Sequence, residues 1–201
     1  MLKKRKNRSD LIIALEGIDG AGKSTLIKNL LADNYFKDKI SLYSRTKKNK
    51  YMTKFFSSRF MQRHYMLQVP FYILLSYKNY LDFKKQKRAK FIIMDRCFLS
   101  NLCYYFPIAL DIPIFFKFLS IFEINMIPDV VFILDVKAEI GQIRDGMQKE
   151  LKWLERTRQT YLHVPNSRVG NGMKVYIIDE DLSIENKKDI ILRYIKGMRK
   201  L

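Results

Sequence analysis

Short, uninterrupted apolar runs alternate along the chain with longer segments in which apolar residues recur at helical spacing. The runs are rich in isoleucine, valine and leucine, and their apolar positions are mostly consecutive instead of alternating. Such runs are typical of strands that are buried on both faces. The pattern therefore predicts five buried strands, at residues 10–17, 40–44, 90–95, 129–136 and 174–180.

The segments between these runs have the periodicity of helices. Five helices are predicted, at residues 23–32, 65–87, 114–125, 138–162 and 183–199. Because strands alternate with helices, we expect right-handed crossovers that build an α/β fold, a parallel sheet covered by helices on both faces. Ligands of such sheets bind beyond the carboxyl ends of the strands, so the functional residues are expected there.

The composition fits a single globular domain. With 201 residues, 48% of them hydrophobic, the chain can bury one core, and it contains no internal repeat or Gly/Ser-rich linker. Its two cysteines, Cys97 and Cys103, lack metal-ligand spacing, and no signal pattern opens the sequence, so a cytoplasmic setting is expected. The apolar region at residues 104–126 is interrupted by prolines and charges and predicts no membrane span.

The charge balance favours anionic ligands. The chain has 38 basic and 20 acidic residues, a formal net charge of +18, which attracts polyanions or phosphate-bearing small molecules. The basic tail at residues 1–9 could contact nucleic acid or anionic lipid, but a solvated tail is the favoured interpretation. The other basic residues are scattered without an aromatic-basic repeat, so nucleic-acid binding is not favoured.

A phosphate-binding loop stands between the first predicted strand and the first predicted helix. The sequence GIDGAGKS at residues 17–24 fits the pattern G-x-x-x-x-G-K-[ST], whose glycines let backbone N–H groups turn toward a phosphate. Lys23 is expected to reach the β- and γ-phosphates of ATP, and the Ser24 hydroxyl to ligate Mg²⁺. The predicted nucleotide-binding residues are Gly17, Ile18, Asp19, Gly20, Ala21, Gly22, Lys23, Ser24 and Thr25.

A second pair of candidate residues follows another buried strand. Asp95 closes the run FIIMD, where a carboxylate is costly unless it is paired or linked to a metal, so it is a candidate for organising Mg²⁺. A helix N-cap or a partner of Arg96 is its alternative role. The planar guanidinium of Arg96 suits bidentate binding of a phosphate, and a structural role is the alternative there.

The order of these motifs resembles the thymidylate kinase family. EGIDGAGKST at residues 16–25 and DRCFLSNLCYY at residues 95–105 are similar to its two main motifs, and PDVVFILDV, LERTRQTYL and VYIIDEDLSIE extend the likeness along nearly the whole chain. The resemblance implies one P-loop kinase domain at residues 10–201, with three α/β/α layers around a five-stranded parallel sheet. It also implies transfer of the ATP γ-phosphate to a deoxynucleoside monophosphate, with dTMP giving dTDP.

The resemblance also implies roles for the acceptor-side residues. Asp19 would contact the acceptor sugar or the metal, and Arg96 would hold the acceptor phosphate. Ser100 and Asn101 would face the base, and the ring of Tyr104 would lie under the deoxyribose and exclude a 2′-hydroxyl.

The family's lid and its second phosphate-binding arginine are carried over in the same way. A lid at about residues 143–152 would close over the transferring phosphoryl group with Arg144 as the first candidate cation, and Lys149 and Lys152 lie nearby. Arg45 resembles another acceptor-phosphate ligand, although the Glu-Pro-Gly-Gly that usually follows it is absent. The predicted helix FYILLSYKNYLDF also lacks the family's base-reading arginine. Its candidate substitutes are Tyr72, Tyr77, Lys78 and Asn79.

Two other functions remain open from the sequence. A P-loop kinase that acts on a nucleoside or another hydroxyl compound would need a carboxylate base, for which Glu16 or Asp19 could serve. A nucleotide-binding module without transfer would fit the short lid and the high charge. The apolar helices near residues 114–122 and 65–81 are available for a homodimer.

Overall fold

The computed structural model of the protein describes residues 10–37, 39–44, 65–85, 89–111 and 126–197. The basic tail, Arg45, the predicted helix at residues 114–125 and one of the two candidate dimer segments lie outside these ranges.

The five predicted strands form one parallel sheet, which confirms the predicted fold class. The strands are β1 (Leu11–Glu16), β2 (Ile40–Ser44), β3 (Phe91–Asp95), β4 (Val130–Leu134) and β5 (Lys174–Ile178). Their order in the sheet is β2-β3-β1-β4-β5. Leu15 pairs with Asp95 across β1 and β3, so the candidate residues that follow these strands lie together at the carboxyl end of the sheet.

Burial on both faces holds for the three central strands only. β4 is buried throughout, and β1 and β3 each have one half-exposed end. In β2 and β5 the prediction is wrong, because Leu42 is 36% exposed, Tyr176 43% and Ile177 46%. Within the described ranges both are edge strands with a neighbour on one side only, and the described helices cover them in part.

Six helices of the described ranges surround the sheet: α1 (Lys23–Leu31), α2 (Tyr65–Lys84), α3 (Phe98–Tyr105), α4 (Ala138–Arg144), α5 (Leu151–His163) and α6 (Ile184–Gly197). α3 was not predicted from the sequence pattern. Within the described ranges, no helix is both long and apolar enough to cross a membrane.

The predicted single helix at residues 138–162 is wrong, because the structure divides it into α4 and α5. Gly146 and Met147 between them have φ values of 70° and 57°, in the left-handed region. A right-handed helix cannot continue through two such residues, so the chain turns there. The turn returns residues 149–153 toward the carboxyl end of β1, beside the phosphate loop.

Candidate active site

The phosphate loop is shaped by glycines that pack against β4 and α4. Gly17, Gly20 and Gly22 have φ values of 132°, 77° and 87°. A Cβ on Gly20 would lie 2.1 Å from the carbonyl oxygen of Gly141, and a Cβ on Gly17 would lie 2.6 Å from that of Leu134. Gly22 caps α1 without a side-chain hydrogen bond, which leaves the first N–H groups of the helix for an anion.

Lys23 lies under this loop in a buried position. Its Nζ donates to the carbonyl oxygens of Gly17, at 3.0 Å, and Ile18, at 2.6 Å. Burial, together with the charge of Arg96, lowers the pKa of Lys23 to about 7. Because the amine lies close to the phosphate loop, an anion that binds in the loop would stabilise the charged form of Lys23.

One cleft brings most of the predicted residues together. It has a volume of about 530 Å³. Ser24 is exposed in it, and Asp95 is half-buried and accepts a hydrogen bond from Ser44 Oγ at 3.2 Å. The lining consists of Asp19, Gly20, Ala21, Gly22, Lys23, Ser24, Thr25, Asp95, Arg96, Arg144 and Asp145.

Arg96 contacts the phosphate loop and lines the cleft beside it. Its φ of 69° is left-handed, an uncommon conformation for a residue with a Cβ. The side chain is buried, Nη1 donates to the Gly17 carbonyl oxygen at 3.1 Å, and Nη2 donates to Asp19. The guanidinium carbon also lies 5.3 Å from the centroid of the Tyr104 ring.

Asp19 is held between two cations. It pairs with Arg96 on one side and with Lys149 on the other. Burial opposes ionisation of Asp19, but the charges of Arg96 and Lys149 outweigh it and hold its pKa well below the usual range. The Lys149 ammonium also lies 5.3 Å from the Tyr104 ring centroid and 5.0 Å from that of Trp153.

A buried carboxylate lies behind this site. Glu16 has no exposed surface, and its Oε1 accepts from the Cys97 N–H at 2.7 Å. Its Oε2 accepts from Ser100 Oγ at 2.6 Å and from the Tyr161 hydroxyl at 2.9 Å. Ser100 thus points to Glu16, whereas the resemblance implied that it faces a base. Asn101 is half-buried, and its Nδ2 has no hydrogen-bond partner among the described residues.

The remaining candidates differ in their surroundings. Arg144, at the end of α4, is exposed and lines the cleft, whereas Arg158 is paired with Asp135 at 2.6 and 3.0 Å. Of the candidate base-reading residues, Tyr77 and Lys78 are exposed, and Asn79 and Tyr72 are buried. The Tyr72 ring packs edge-on against Phe106, with the centroids 5.6 Å apart.

Lys149 is the functional candidate that the sequence did not select. Arg144 was the first choice because it is the arginine inside the predicted lid, and Lys149 was only a nearby cation. A local signal exists, since Lys149 and Trp153 are only four residues apart and a lysine can contact an aromatic ring at that distance in sequence. In the structure Lys149 lies two residues before α5. The contact of Lys149 with Asp19, in contrast, joins residues 130 positions apart.

A parallel sheet with a glycine loop after β1, a buried lysine and an arginine after β3 defines a P-loop nucleotide kinase. The family model for thymidylate kinase matches residues 15–191. The chain is 30% identical to the thymidylate kinase of Buchnera aphidicola subsp. Acyrthosiphon pisum over 86% of its own length and 88% of that protein. It is 28% identical to the probable thymidylate kinase 1 of Saccharolobus solfataricus, over 94% and 97% respectively. The chain therefore belongs to the thymidylate kinase family, whose members are ATP-dependent phosphotransferases.

A solved structure supports the fold. The structure of deoxyadenosine kinase from M. mycoides with bound dATP has a TM-score of 0.65 to this chain, and the match covers 92% of this chain and 99% of that one. At 15% sequence identity this likeness shows the shared α/β fold alone.

Proposed function

We propose that this protein transfers the γ-phosphoryl group of Mg·ATP to dTMP, giving ADP and dTDP. The observation that carries the proposal is the pairing of two cations, Arg96 and Lys149, with Asp19, where Asp19 and Arg96 line a pocket beside the phosphate loop. Such a pocket suits an acceptor that is itself a phosphate ester. The family membership supports the same chemistry.

The ATP side of the proposal rests on the glycine loop and Lys23. The open N–H groups before α1 would bind the phosphate oxygens, and Lys23 would neutralise part of their charge. Ser24 and Asp95 would hold Mg²⁺, which when bound would offset negative charge on the phosphates. Among the described residues no three His, Cys, Asp or Glu side chains cluster. This fits a metal that is held by few protein ligands and by phosphates and waters.

The acceptor side favours a nucleoside monophosphate over a nucleoside. A nucleoside hydroxyl needs a base, but Glu16 is fully buried and already accepts three hydrogen bonds. Asp19 is a weak base because Arg96 and Lys149 depress its pKa. A phosphate oxygen is already anionic and needs no such base. In this proposal the Tyr104 ring would lie under the sugar, and Asn101 remains the candidate for contact with the base.

The cellular setting and the assembly are part of the same proposal. The two cysteines are buried and form no disulfide bond, which supports a cytoplasmic, reducing compartment. A homodimer is supported by α2, where Phe71, Leu74 and Leu81 are 42%, 64% and 38% exposed on one side of the helix. A single-chain mass in sedimentation equilibrium would argue against the dimer.

Lys149 is expected to be the cation that acts over the transferring phosphoryl group. Lys149→Met should lower kcat by about 100-fold, because a charge at the reacting phosphate is lost. Lys152→Met removes an exposed lysine from the first turn of α5 and is the matched control. Single-turnover rates would show the effect. A larger loss in Arg144→Met than in Lys149→Met would return the role to Arg144.

Binding of Mg·ATP is expected to take up a proton at about pH 8 because Lys23 becomes charged. The pKa of Lys23 is lowered to about 7 in the free protein, so the amine is mostly neutral at that pH. Phosphate oxygens favour the charged form and raise the pKa, so the affinity for ATP should fall as the pH rises through 7.

Calorimetry in two buffers of different ionisation enthalpy measures this proton uptake. The heats should differ by an amount that approaches one proton per site for the wild type. The Lys23→Arg variant keeps its charge and should show no difference. Equal heats in both buffers for the wild type would mean that Lys23 is already charged in the free protein.

A panel of acceptors tests the proposed reaction. ADP release from Mg·ATP would be measured with dTMP, dUMP, UMP, CMP, dGMP, AMP, thymidine and no acceptor. The proposal predicts the largest stimulation by dTMP and none by thymidine. Stimulation by thymidine above dTMP would favour the hydroxyl-acceptor kinase, and a flat panel with ATP still bound would favour the nucleotide-binding module.

A further inference from the structure

The most deeply buried carboxylate of the site takes no part in the proposed transfer. Glu16 ends β1, has no exposed surface and does not line the cleft. Burying a carboxylate is costly unless it is paired and hydrogen-bonded. Its three hydrogen bonds, from the Cys97 N–H, Ser100 Oγ and the Tyr161 hydroxyl, therefore indicate a specific use.

The same two hydroxyls also contact Arg96. Nη1 of Arg96 lies 3.1 Å from Ser100 Oγ and 3.5 Å from the Tyr161 oxygen. The two hydroxyl oxygens lie 3.0 Å from each other. Ser100 and Tyr161 thus stand as a layer between the Glu16 carboxylate and the Arg96 guanidinium.

Counting protons fixes the direction of these hydrogen bonds. Each hydroxyl has one proton and two lone pairs, and the guanidinium of Arg96 has donors only. A carboxylate has acceptors only, so Ser100 and Tyr161 donate their protons to Glu16. Their lone pairs are then directed to Nη1 of Arg96. Burial, followed by the charge of Glu16, raises the pKa of Tyr161 well above its ordinary value, so this hydroxyl keeps its proton.

We propose that Glu16 is a positioning residue that fixes the orientation of the Arg96 guanidinium through the hydroxyls of Ser100 and Tyr161. Glu16 also accepts from the Cys97 N–H and so holds the left-handed turn at Arg96 from the other side. The inference rests on the proposed function, in which Arg96 holds the acceptor phosphate. In this inference Ser100 binds Glu16 and has a structural role, and it does not contact the nucleobase.

The consequence is specificity for an anionic acceptor group, such as a phosphate, that can accept two parallel hydrogen bonds from the planar guanidinium. Glu16 holds one edge of the guanidinium, through Nη1, while Nη2 donates to Asp19 beside the cleft. A bidentate grip on phosphate depends on the orientation of this plane more than on charge. Loss of Glu16 should therefore weaken the acceptor while it leaves ATP binding intact.

Glu16→Gln is the first test because it keeps the size and shape of the side chain. The new amide nitrogen donates instead of accepting, so one hydroxyl must turn its proton toward Arg96. We expect the KM for dTMP to rise by about 10- to 100-fold, since a hydrogen bond to a charged group is lost, with the KM for ATP within about twofold. In an Arg96→Lys background, which lacks the planar guanidinium, Glu16→Gln should cause no further change in the KM for dTMP.

Additive effects in this double-mutant cycle would overturn the inference, and so would an equal rise in both KM values. If Glu16→Gln fails to fold, Tyr161→Phe and Ser100→Ala each remove one hydroxyl and leave the carboxylate in place. Each should raise the KM for dTMP by about threefold to tenfold, and neither should do so with Arg96→Lys. Tyr194→Phe, which removes another largely buried tyrosine hydroxyl from α6, is the matched control and should have no effect.

Side-chain NMR separates a failure of this inference from a failure of the proposed function. With ¹⁵N-labelled arginine, the Arg96 guanidinium of the wild type should rotate slowly and give resolved Nη signals without any substrate. In the Glu16→Gln variant the guanidinium should rotate faster, so the Nη signals should average. This result would support the positioning role even if dTMP proved not to be the acceptor, and equally slow rotation in both proteins would refute it.

Discussion

Arg96→Ala is expected to lower kcat/KM for dTMP by about 1000-fold, with the Kd for Mg·ATP within about threefold of the wild type. The side chain donates to Gly17 and to Asp19, and it lines the cleft that is the proposed acceptor site. Its removal takes away both the grip on the acceptor phosphate and a charge next to the reacting group. Steady-state kinetics with each substrate varied in turn would measure the two effects.

The backbone does not complicate this test, but burial does. Arg96 has a left-handed φ of 69°, and alanine has the same steric cost there because both residues carry a Cβ. Removal of one member of a buried ion pair costs about 3–5 kcal/mol, so Arg96→Lys provides a second variant that retains a charge. The exposed Arg193→Ala is the control for loss of charge alone. An unchanged kcat/KM for dTMP in folded Arg96→Lys would contradict a bidentate role.

Gly20→Ala is expected to weaken Mg·ATP binding by at least about 100-fold, because strain of a few kcal/mol converts to that factor. The added Cβ would lie 2.1 Å from the carbonyl oxygen of Gly141, on a backbone whose φ is 77°. The Cβ is fixed to the main chain and the carbonyl is part of it, so neither can turn aside like the end of a flexible side chain. The phosphate loop or α4 would have to move, and the N–H groups that line the loop would lose their common direction.

Gly146→Ala separates steric collision from backbone strain. Gly146 has a similar φ of 70°, but a Cβ there would meet nothing within 4 Å. This variant should keep the Kd for Mg·ATP within about threefold, since it carries only the cost of a left-handed alanine. Fluorescence titration with an ATP analogue would compare the two variants. Similar affinities in both would mean that the contact between Gly20 and Gly141 does not shape the loop.

The sequence predicted the parts of the site that lie next to strand ends. Lys23 follows β1 within one short loop, and Arg96 follows β3 directly. In a parallel sheet such positions meet at the carboxyl end of the strands. Periodicity and spacing are therefore sufficient to predict that the phosphate loop, Asp95 and Arg96 lie together. The fold class was predictable for the same reason.

The contacts that distinguish this site join residues far apart in the chain. Glu16 meets Ser100 across 84 positions and Tyr161 across 145, and no local pattern encodes either contact. The choice between Arg144 and Lys149 depends on the left-handed turn at Gly146, which directs Lys149 back to Asp19. The glycine was visible in the sequence, but the path of the chain after it was not.

Transfer of label from [γ-³²P]ATP to dTMP distinguishes a dTMP kinase from a protein that only binds nucleotides. We expect that labelled dTDP forms in step with ADP, that thymidine gives no labelled product, and that Lys23→Met forms none with ATP and dTMP both present. Bound ATP whose label stays in ATP or passes only to inorganic phosphate, in the presence of saturating dTMP, would contradict the assignment of the pocket around Arg96 and Asp19 as a nucleotide acceptor site.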